Sequence, residues 1–193
     1  RICSFAGVVC VFISMSKSNE FQDPDSEKGQ VGVVSPQTYE HDRRFEMENG
    51  SLDKFQLIYE TYGKLNEEGT NAILICHALT GDHHVAGVYS KGDRHPGWWN
   101  HVVGPGKPVD TEEFFVVCSN CLGACKGSTG PASENPETPG KPYGMNFPDL
   151  TIKDMVRAQK HLLDSLGIQS LHAIVGGSMG GMQALQWIVE FPE

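Results

Sequence analysis

Three short, nearly uninterrupted apolar runs stand out along the chain: residues 71–78 (Asn-Ala-Ile-Leu-Ile-Cys-His-Ala), 114–118 (Phe-Phe-Val-Val-Cys) and 171–175 (Leu-His-Ala-Ile-Val). Runs of this length without polar alternation predict strands buried on both faces. The segments between them are too long for hairpins, so the predicted pairing is parallel and the chain returns by crossovers. One crossover reads as a helix. Thr151 offers an N-cap oxygen, Asp154 places negative charge in the first turn, and Ile152, Met155, Val156, Leu162, Leu163 and Leu166 mark one apolar face before Gly167 stops it. Ahead of the first run, residues 37–47 and 55–62 alternate polar and apolar positions on either side of Glu48-Asn49-Gly50-Ser51, and Asn-Gly predicts a β-hairpin. Residues 81–144 are dense in glycine and proline; loops this long in an α/β domain are functional or lie ordered against another element.

The two ends set the domain limits. Residues 1–14 are apolar and are followed by Met15-Ser16-Lys17-Ser18-Asn19, a fresh polar start. Translation assigned upstream of a start at Met15 is one explanation, and a signal peptide with Arg1 as its charged region is another. The acidic, proline- and glycine-containing stretch 20–30 is expected to be a floppy arm, so residues 1–30 are read as an extension and 31–193 as part of one domain. Phe191-Pro192-Glu193 follows an apolar helical segment directly, as expected of a truncated chain.

Composition narrows the function classes. With 193 residues, 39% of them apolar, the chain is long enough to bury a core and too hydrophobic for a disordered segment. Fifteen Lys and Arg face 24 Asp and Glu, a net charge of −9 with no basic cluster, which excludes the positive stripe that nucleic-acid phosphates require. No apolar run approaches the roughly 20 residues of a spanning helix. The six cysteines (Cys3, Cys10, Cys76, Cys118, Cys121, Cys125) lack zinc-ribbon spacing, and Cys76 and Cys118 sit in apolar runs where thiols behave as small hydrophobes. No metal site and a reduced, cytoplasmic chain are expected.

The segment that carries chemistry is Val175-Gly176-Gly177-Ser178-Met179-Gly180-Gly181, in which a predicted buried strand runs through Gly-x-Ser-x-Gly straight into an apolar helix. In that setting the serine sits on a strained strand-to-helix turn with its hydroxyl projecting alone, and the helix N-terminus behind it favours a developing oxyanion. Gly176 and Gly180 are expected to be glycine because a Cβ there collides where strand and helix cross. A second oxyanion donor is needed from the loop after an earlier central strand, and His77-Ala78-Leu79-Thr80-Gly81 fits that place. The candidate set is therefore Ser178 as nucleophile with the backbone N–H groups of Leu79 and Met179 as the oxyanion hole, His77 being read as structural. Asp82-His83-His84 is a weak metal candidate, Lys126-Gly127-Ser128 lacks the order of a phosphate loop, and Gly97-Trp98-Trp99 is read as packing. In a serine triad of this layout the acid and the imidazole follow the serine in sequence, yet the 15 residues after Ser178 include neither Asp nor His. Either those partners lie beyond Glu193, the preferred account, or the site is not a triad.

The chain resembles the homoserine O-acetyltransferase family through Tyr59-Glu60-Thr61-Tyr62-Gly63, Cys76-His77-Ala78-Leu79-Thr80-Gly81, Gly97-Trp98-Trp99, Gly104-Pro105-Gly106-Lys107, Gly127-Ser128-Thr129-Gly130-Pro131 and Gly176-Gly177-Ser178-Met179-Gly180-Gly181-Met182-Gln183. The resemblance runs from about residue 31 to the end and covers roughly the N-terminal half of a typical member. It implies an α/β fold of the α/β-hydrolase type, truncated after the helix that follows Ser178, with the lid and the rest of the sheet absent. It implies acetyl transfer from acetyl-CoA to the hydroxyl of L-homoserine through a Ser178 acyl-enzyme, as a step of methionine biosynthesis. It implies as well a homodimeric full-length protein whose remaining triad members and substrate-binding Arg lie past residue 193, and an isolated chain that is inactive. Transfer of a succinyl group from succinyl-CoA, and hydrolysis by a serine esterase, are the alternatives.

Overall fold

Aliphatic and β-branched side chains on alternate faces place the first two predicted runs inside a sheet and the third at its edge among the described residues. The computed structural model describes residues 29–192, and the expectations for the apolar stretch 1–14, the start at Met15, the arm up to residue 28, Cys3 and Cys10 lie outside the described residues. The strands are β1 (Gln37–His41), β2 (Phe45–Met47), β3 (Gly50–Leu52), β4 (Phe55–Tyr62), β5 (Ala72–Cys76), β6 (Val103–Gly104), β7 (Val109–Asp110), β8 (Phe115–Ser119) and β9 (Leu171–Gly176), with helices α1 (Ile152–Ser165) and α2 (Met179–Glu190). Five strands form the main sheet in the order β1-β4-β8-β5-β9. β5 pairs in parallel with both β8 and β9, as the long connections required, while β4 is antiparallel to β1 and β8.

The hairpin at Asn49-Gly50 is real but smaller than expected. That turn joins the three-residue strands β2 and β3, with Met47 opposite Gly50, and Gly50 adopts a φ of +129° that favours glycine. β1 and β4 pair outside this ribbon, from Gln37 opposite Tyr59 to His41 opposite Phe55. The chain breaks at 42–44 because the ribbon turns inward to bury Phe45, Met47 and Leu52.

The core has two layers divided by the sheet. Leu74, Cys76, Val117 and Ile174 face α1 and α2, meeting Val156, Leu162, Leu163, Ala184 and Trp187. Ile73, Ile75, Val116 and Cys118 face the other way, onto Val85, Ala86 and Val103. That second face is covered by the 77–114 connection itself, in which no helix occurs, so the glycine- and proline-rich segment is ordered packing material. Each fully buried Leu, Ile or Val contributes about 1.5–3 kcal/mol relative to exposure.

α1 begins and ends as its sequence dictates. Thr151 Oγ1 accepts from the Asp154 amide, the Asp154 carboxylate accepts from the Thr151 amide, and Gly167 leaves the helix at a φ of +77°. Its buried face differs from the apolar pattern. Ile152, Met155 and Leu166 are half-buried, whereas the polar Asp154 and Gln159 are almost wholly enclosed. Asp154 earns that place by also accepting the Glu48 amide at 3.0 Å, which ties α1 to the β2–β3 ribbon. No helix among the described residues is long and apolar enough to cross a membrane.

Candidate functional site

β9 ends at Gly176 and α2 begins at Met179, which leaves Gly177 and Ser178 to make the whole reversal. Ser178 absorbs it with φ 57° and ψ −126°, making it the one non-glycine residue at positive φ among the described residues. Holding a β-carbon there costs about 1–3 kcal/mol, a strain that the surrounding packing must impose. The packing is visible at the flanking glycines. A Cβ on Gly176 would stand 2.4 Å from the Gly180 carbonyl oxygen, and one on Gly180 would stand 2.0 Å from the Cys76 carbonyl oxygen and 3.0 Å from that of His77. Backbone thus touches backbone where β9, α2 and the end of β5 meet, and the Ser178 side chain, exposed and making no capping bond, is left pointing away from them.

The second part of the site comes from the loop after β5. Because β5 and β9 are parallel with Cys76 opposite Gly176, their C-terminal ends are level, and the loop starting at His77 lies beside the Ser178 turn. Gly81 N–H donates to Ala78 carbonyl at 2.9 Å, so Leu79 and Thr80 form the crest of a tight turn. Leu79 is 76% exposed, and among the described residues neither its amide nor that of Met179 donates a backbone hydrogen bond. The structure therefore brings Leu79, Met179 and Ser178 to one end of the sheet with two uncommitted N–H groups and one uncommitted hydroxyl. Such a constellation can bind an electrophilic carbonyl and take up charge on its oxygen.

His77 does not join them. It is fully buried, its Nδ1 donates to the Ala78 carbonyl at 2.7 Å, and its Nε2 accepts from the Cys121 amide at 3.0 Å. Burial holds its pKa below the ordinary imidazole value, and the Cys121 N–H leaves no room for a second ring proton. The imidazole is a neutral bracket between the loop and the end of β8, in keeping with its structural reading. Three of the described cysteines are also out of play as nucleophiles, while Cys125 is exposed. Cys76, Cys118 and Cys121 are buried, and burial pushes the Cys121 thiol up to about 12.

A polar chain behind the turn has no counterpart in the sequence reading. Gln183 Oε1 accepts from Gln159 Nε2 at 2.8 Å and from Cys121 Sγ at 3.4 Å, Gln183 Nε2 reaches the His77 carbonyl at 3.5 Å, and Trp187 Nε1 donates to Gln159 Oε1 at 2.8 Å. This links α1, α2, β8 and the β5 loop beneath Ser178. The only hint in sequence was two glutamines on otherwise apolar helix faces. His83 and His84 lie apart, against Glu60 on β4, and Trp98 Nε1 donates to the Asp82 carbonyl while its ring packs on Trp99 at 5.0 Å. Two surface cavities, one beside Val31 and Thr61 and one beside His41 and His161, do not include Ser178.

With this geometry established, comparison with known proteins gives four likenesses. The family model described as alpha/beta hydrolase fold matches residues 71–193, which contain both the β5 loop and the Ser178 turn. A protein from Halorhodospira halophila named homoserine O-succinyltransferase is 63% identical over 142 residues, 74% of this chain and 37% of its own length. The crystal structure of homoserine O-acetyltransferase from Bacillus anthracis superposes with a TM-score of 0.78 at 41% identity, covering 83% of this chain and 44% of that one. That of esterase E22 does so with the same TM-score and identity, covering 83% and 45%. The chain thus spans less than half the length of each of these three proteins.

Proposed function

Since the chain belongs to the alpha/beta hydrolase fold family, we propose that it carries the acyl-accepting serine of a homoserine O-acyltransferase. The observation that carries this reading is Ser178 held at φ 57° with its hydroxyl exposed, at the N-terminus of α2 and beside the uncommitted Leu79 amide. In the first half-reaction Ser178 Oγ attacks the thioester carbonyl of acyl-CoA. The Oγ–C bond forms, the C–S bond breaks, and coenzyme A leaves with the proton given up by the serine. In the second, the hydroxyl of L-homoserine attacks the Ser178 ester, O-acylhomoserine departs, and Ser178 regains a proton. Both steps pass through an oxyanion that the Leu79 and Met179 amides hold, and loss of one such donor costs about 10²–10³-fold in rate. The α2 N-terminus adds favourable partial charge.

Ser178 needs a proton acceptor, and His77, locked between Ala78 and Cys121, cannot serve. We therefore expect this 193-residue chain by itself to turn over neither donor. Acetyl-CoA, expected from the sequence, is supported by the name of the Bacillus anthracis neighbour, and succinyl-CoA by that of the Halorhodospira halophila relative. The test is mass spectrometry of a protein of the relatives' full length that carries this sequence, quenched during turnover with each donor and homoserine. An acyl adduct on the Ser178 peptide, absent in Ser178→Ala, is the expected result. Product accumulating with Ser178 unmodified would overturn the assignment. A second reading, hydrolysis, draws on the equal likeness to esterase E22; it predicts free acid released at the same rate with or without homoserine.

A further inference from the structure

The reaction just described makes no use of the buried polar cluster around Glu60. Glu60 on β4 is 1% exposed, and its Oε2 accepts from the Tyr62 hydroxyl at 2.5 Å and from His84 Nδ1 at 3.1 Å. His83 Nε2 stands 3.9 Å from the other carboxylate oxygen, with Tyr89 OH 3.4 Å from the same nitrogen, and burial holds the His83 pKa low. Enclosing a carboxylate so completely is costly, and Glu60 Oε1, His83 Nδ1 and His84 Nε2 are buried without a protein partner. Apolar packing would fill this space at lower cost, so what the carboxylate grips matters.

It grips the loop after β5. The Tyr62 hydroxyl, oriented by its bond to Glu60, accepts from the amides of Val85 at 2.9 Å and Ala86 at 3.2 Å. His84, fixed through its ring, donates its amide to Asp82 Oδ1 at 2.9 Å. Residues 82–86 are thereby tied to β4, while His77 is tied to β8 through the Cys121 amide. Leu79 lies between the two anchors, two residues after one and three before the other, and its exposed side chain offers no anchorage of its own.

We infer that Glu60 is a positioning residue that, through His84 and Tyr62, sets the backbone on which the Leu79 amide is presented. The inference rests on the acyl-transfer reading for its consequence but not for its geometry. A carboxylate makes charge-assisted bonds to both partners, roughly twice as strong as the neutral ones that Gln would offer, so Glu60→Gln keeps the shape and slackens the grip.

Two readouts test it. In this chain, hydrogen exchange at residues 78–86 is expected to quicken in Glu60→Gln while exchange in α1 is unchanged. In a protein of full length, Glu60→Gln is expected to lower kcat by about tenfold or more, approaching the 10²–10³-fold of a lost oxyanion donor, with KM for both substrates little changed. His84 supplies the second variant pair: His84→Asn retains a donor near the Nδ1 position and is expected to restore both readouts, whereas His84→Leu reproduces Glu60→Gln. A folded Glu60→Gln with unaltered loop exchange, or equal impairment in His84→Asn and His84→Leu, overturns the inference. If Glu60→Gln fails to fold, the His84 pair decides alone. Quickened loop exchange in a protein that transfers no acyl group would leave the positioning role standing and refute the acyl-transfer reading instead.

Discussion

Replacing Gly180 by alanine tests whether the Ser178 turn is held by backbone-to-backbone contact. The added methyl would lie 2.0 Å from the Cys76 carbonyl oxygen, 2.7 Å from its carbon and 3.0 Å from the His77 oxygen. None of these is the far end of a flexible side chain, so α2 must move off β5 by about an ångström or more, since carbon and oxygen are at ease near 3.5 Å. Overpacking of this kind costs about 1–3 kcal/mol or more, and the upper part of that range applies where both sides are backbone. Alanine's better helix propensity returns up to about 1 kcal/mol, so the net loss is expected to be about 2 kcal/mol. Gly181→Ala is the control: its Cβ would meet nothing nearer than the Gly176 oxygen at 3.4 Å, and it should be neutral or slightly stabilising. Urea unfolding followed by the fluorescence of Trp187, which is buried on α2, reads the difference. With a slope of roughly 2 kcal/mol per molar, the Gly180→Ala midpoint falls by about 1 M. Coincident midpoints for the two variants would refute the close-contact account of the turn.

Strain at Ser178 predicts that Ser178→Gly melts higher than Ser178→Ala, by roughly 1 kcal/mol after glycine's unfolded-state entropy is set against relief of a cost of about 1–3 kcal/mol; equal melting points would place the strain elsewhere. Burial lowers the pKa of His41, His77, His83 and His161 below the ordinary value near 6.5. The unfolded chain then binds more protons than the folded one just below that value, so stability is full above about pH 6.5 and declines as pH falls through the window beneath it. Urea midpoints from pH 8 to pH 5 should show this, and His77→Gln should flatten the slope; a midpoint that rises on acidification contradicts it. β9 is hydrogen-bonded on one side only among the described residues, and α2 exposes Met182, Leu185, Ile188 and Val189. An open strand edge beside an apolar helix face favours self-association, so light scattering should show aggregation that Leu185→Lys with Val189→Lys reduces, and a monodisperse monomer would count against the idea.

Much of this was legible from neighbouring residues. The runs around Leu74 and Val117 became β5 and β8 because uninterrupted apolar sequence fits strands covered on both sides. The run around Ile174 became β9, where His172 is exposed and Leu171, Ala173 and Val175 are only half-buried, so the expected burial on both faces does not hold there. Thr151 and Asp154 announced the start of α1 because a capping box is a contact between residues three apart. Gly176-Gly177-Ser178-Met179-Gly180 announced the turn because Gly176 leaves room for the Gly180 carbonyl four residues on, although the contact that requires Gly180 is with the distant Cys76 carbonyl. The short β2–β3 ribbon was harder to see, since Asn49-Gly50 marks a turn but not how far the pairing runs from it.

What tertiary structure decided involves residues whose partners are distant in the chain. Gln183 meets the His77 carbonyl, and Asp154 the Glu48 amide, each across 106 positions. Glu60 and His84 are 24 apart, with β5 between them. A polar side chain looks the same in sequence whether it ends in water or in a satisfied interior, because its burial depends on which far segment supplies the donor. The pattern of apolar runs and glycines therefore determined the elements and the serine they display. Only the assembled sheet, by bringing the ends of β5 and β9 level and closing the 77–114 segment over one face, decided which polar groups hold that serine's surroundings in place.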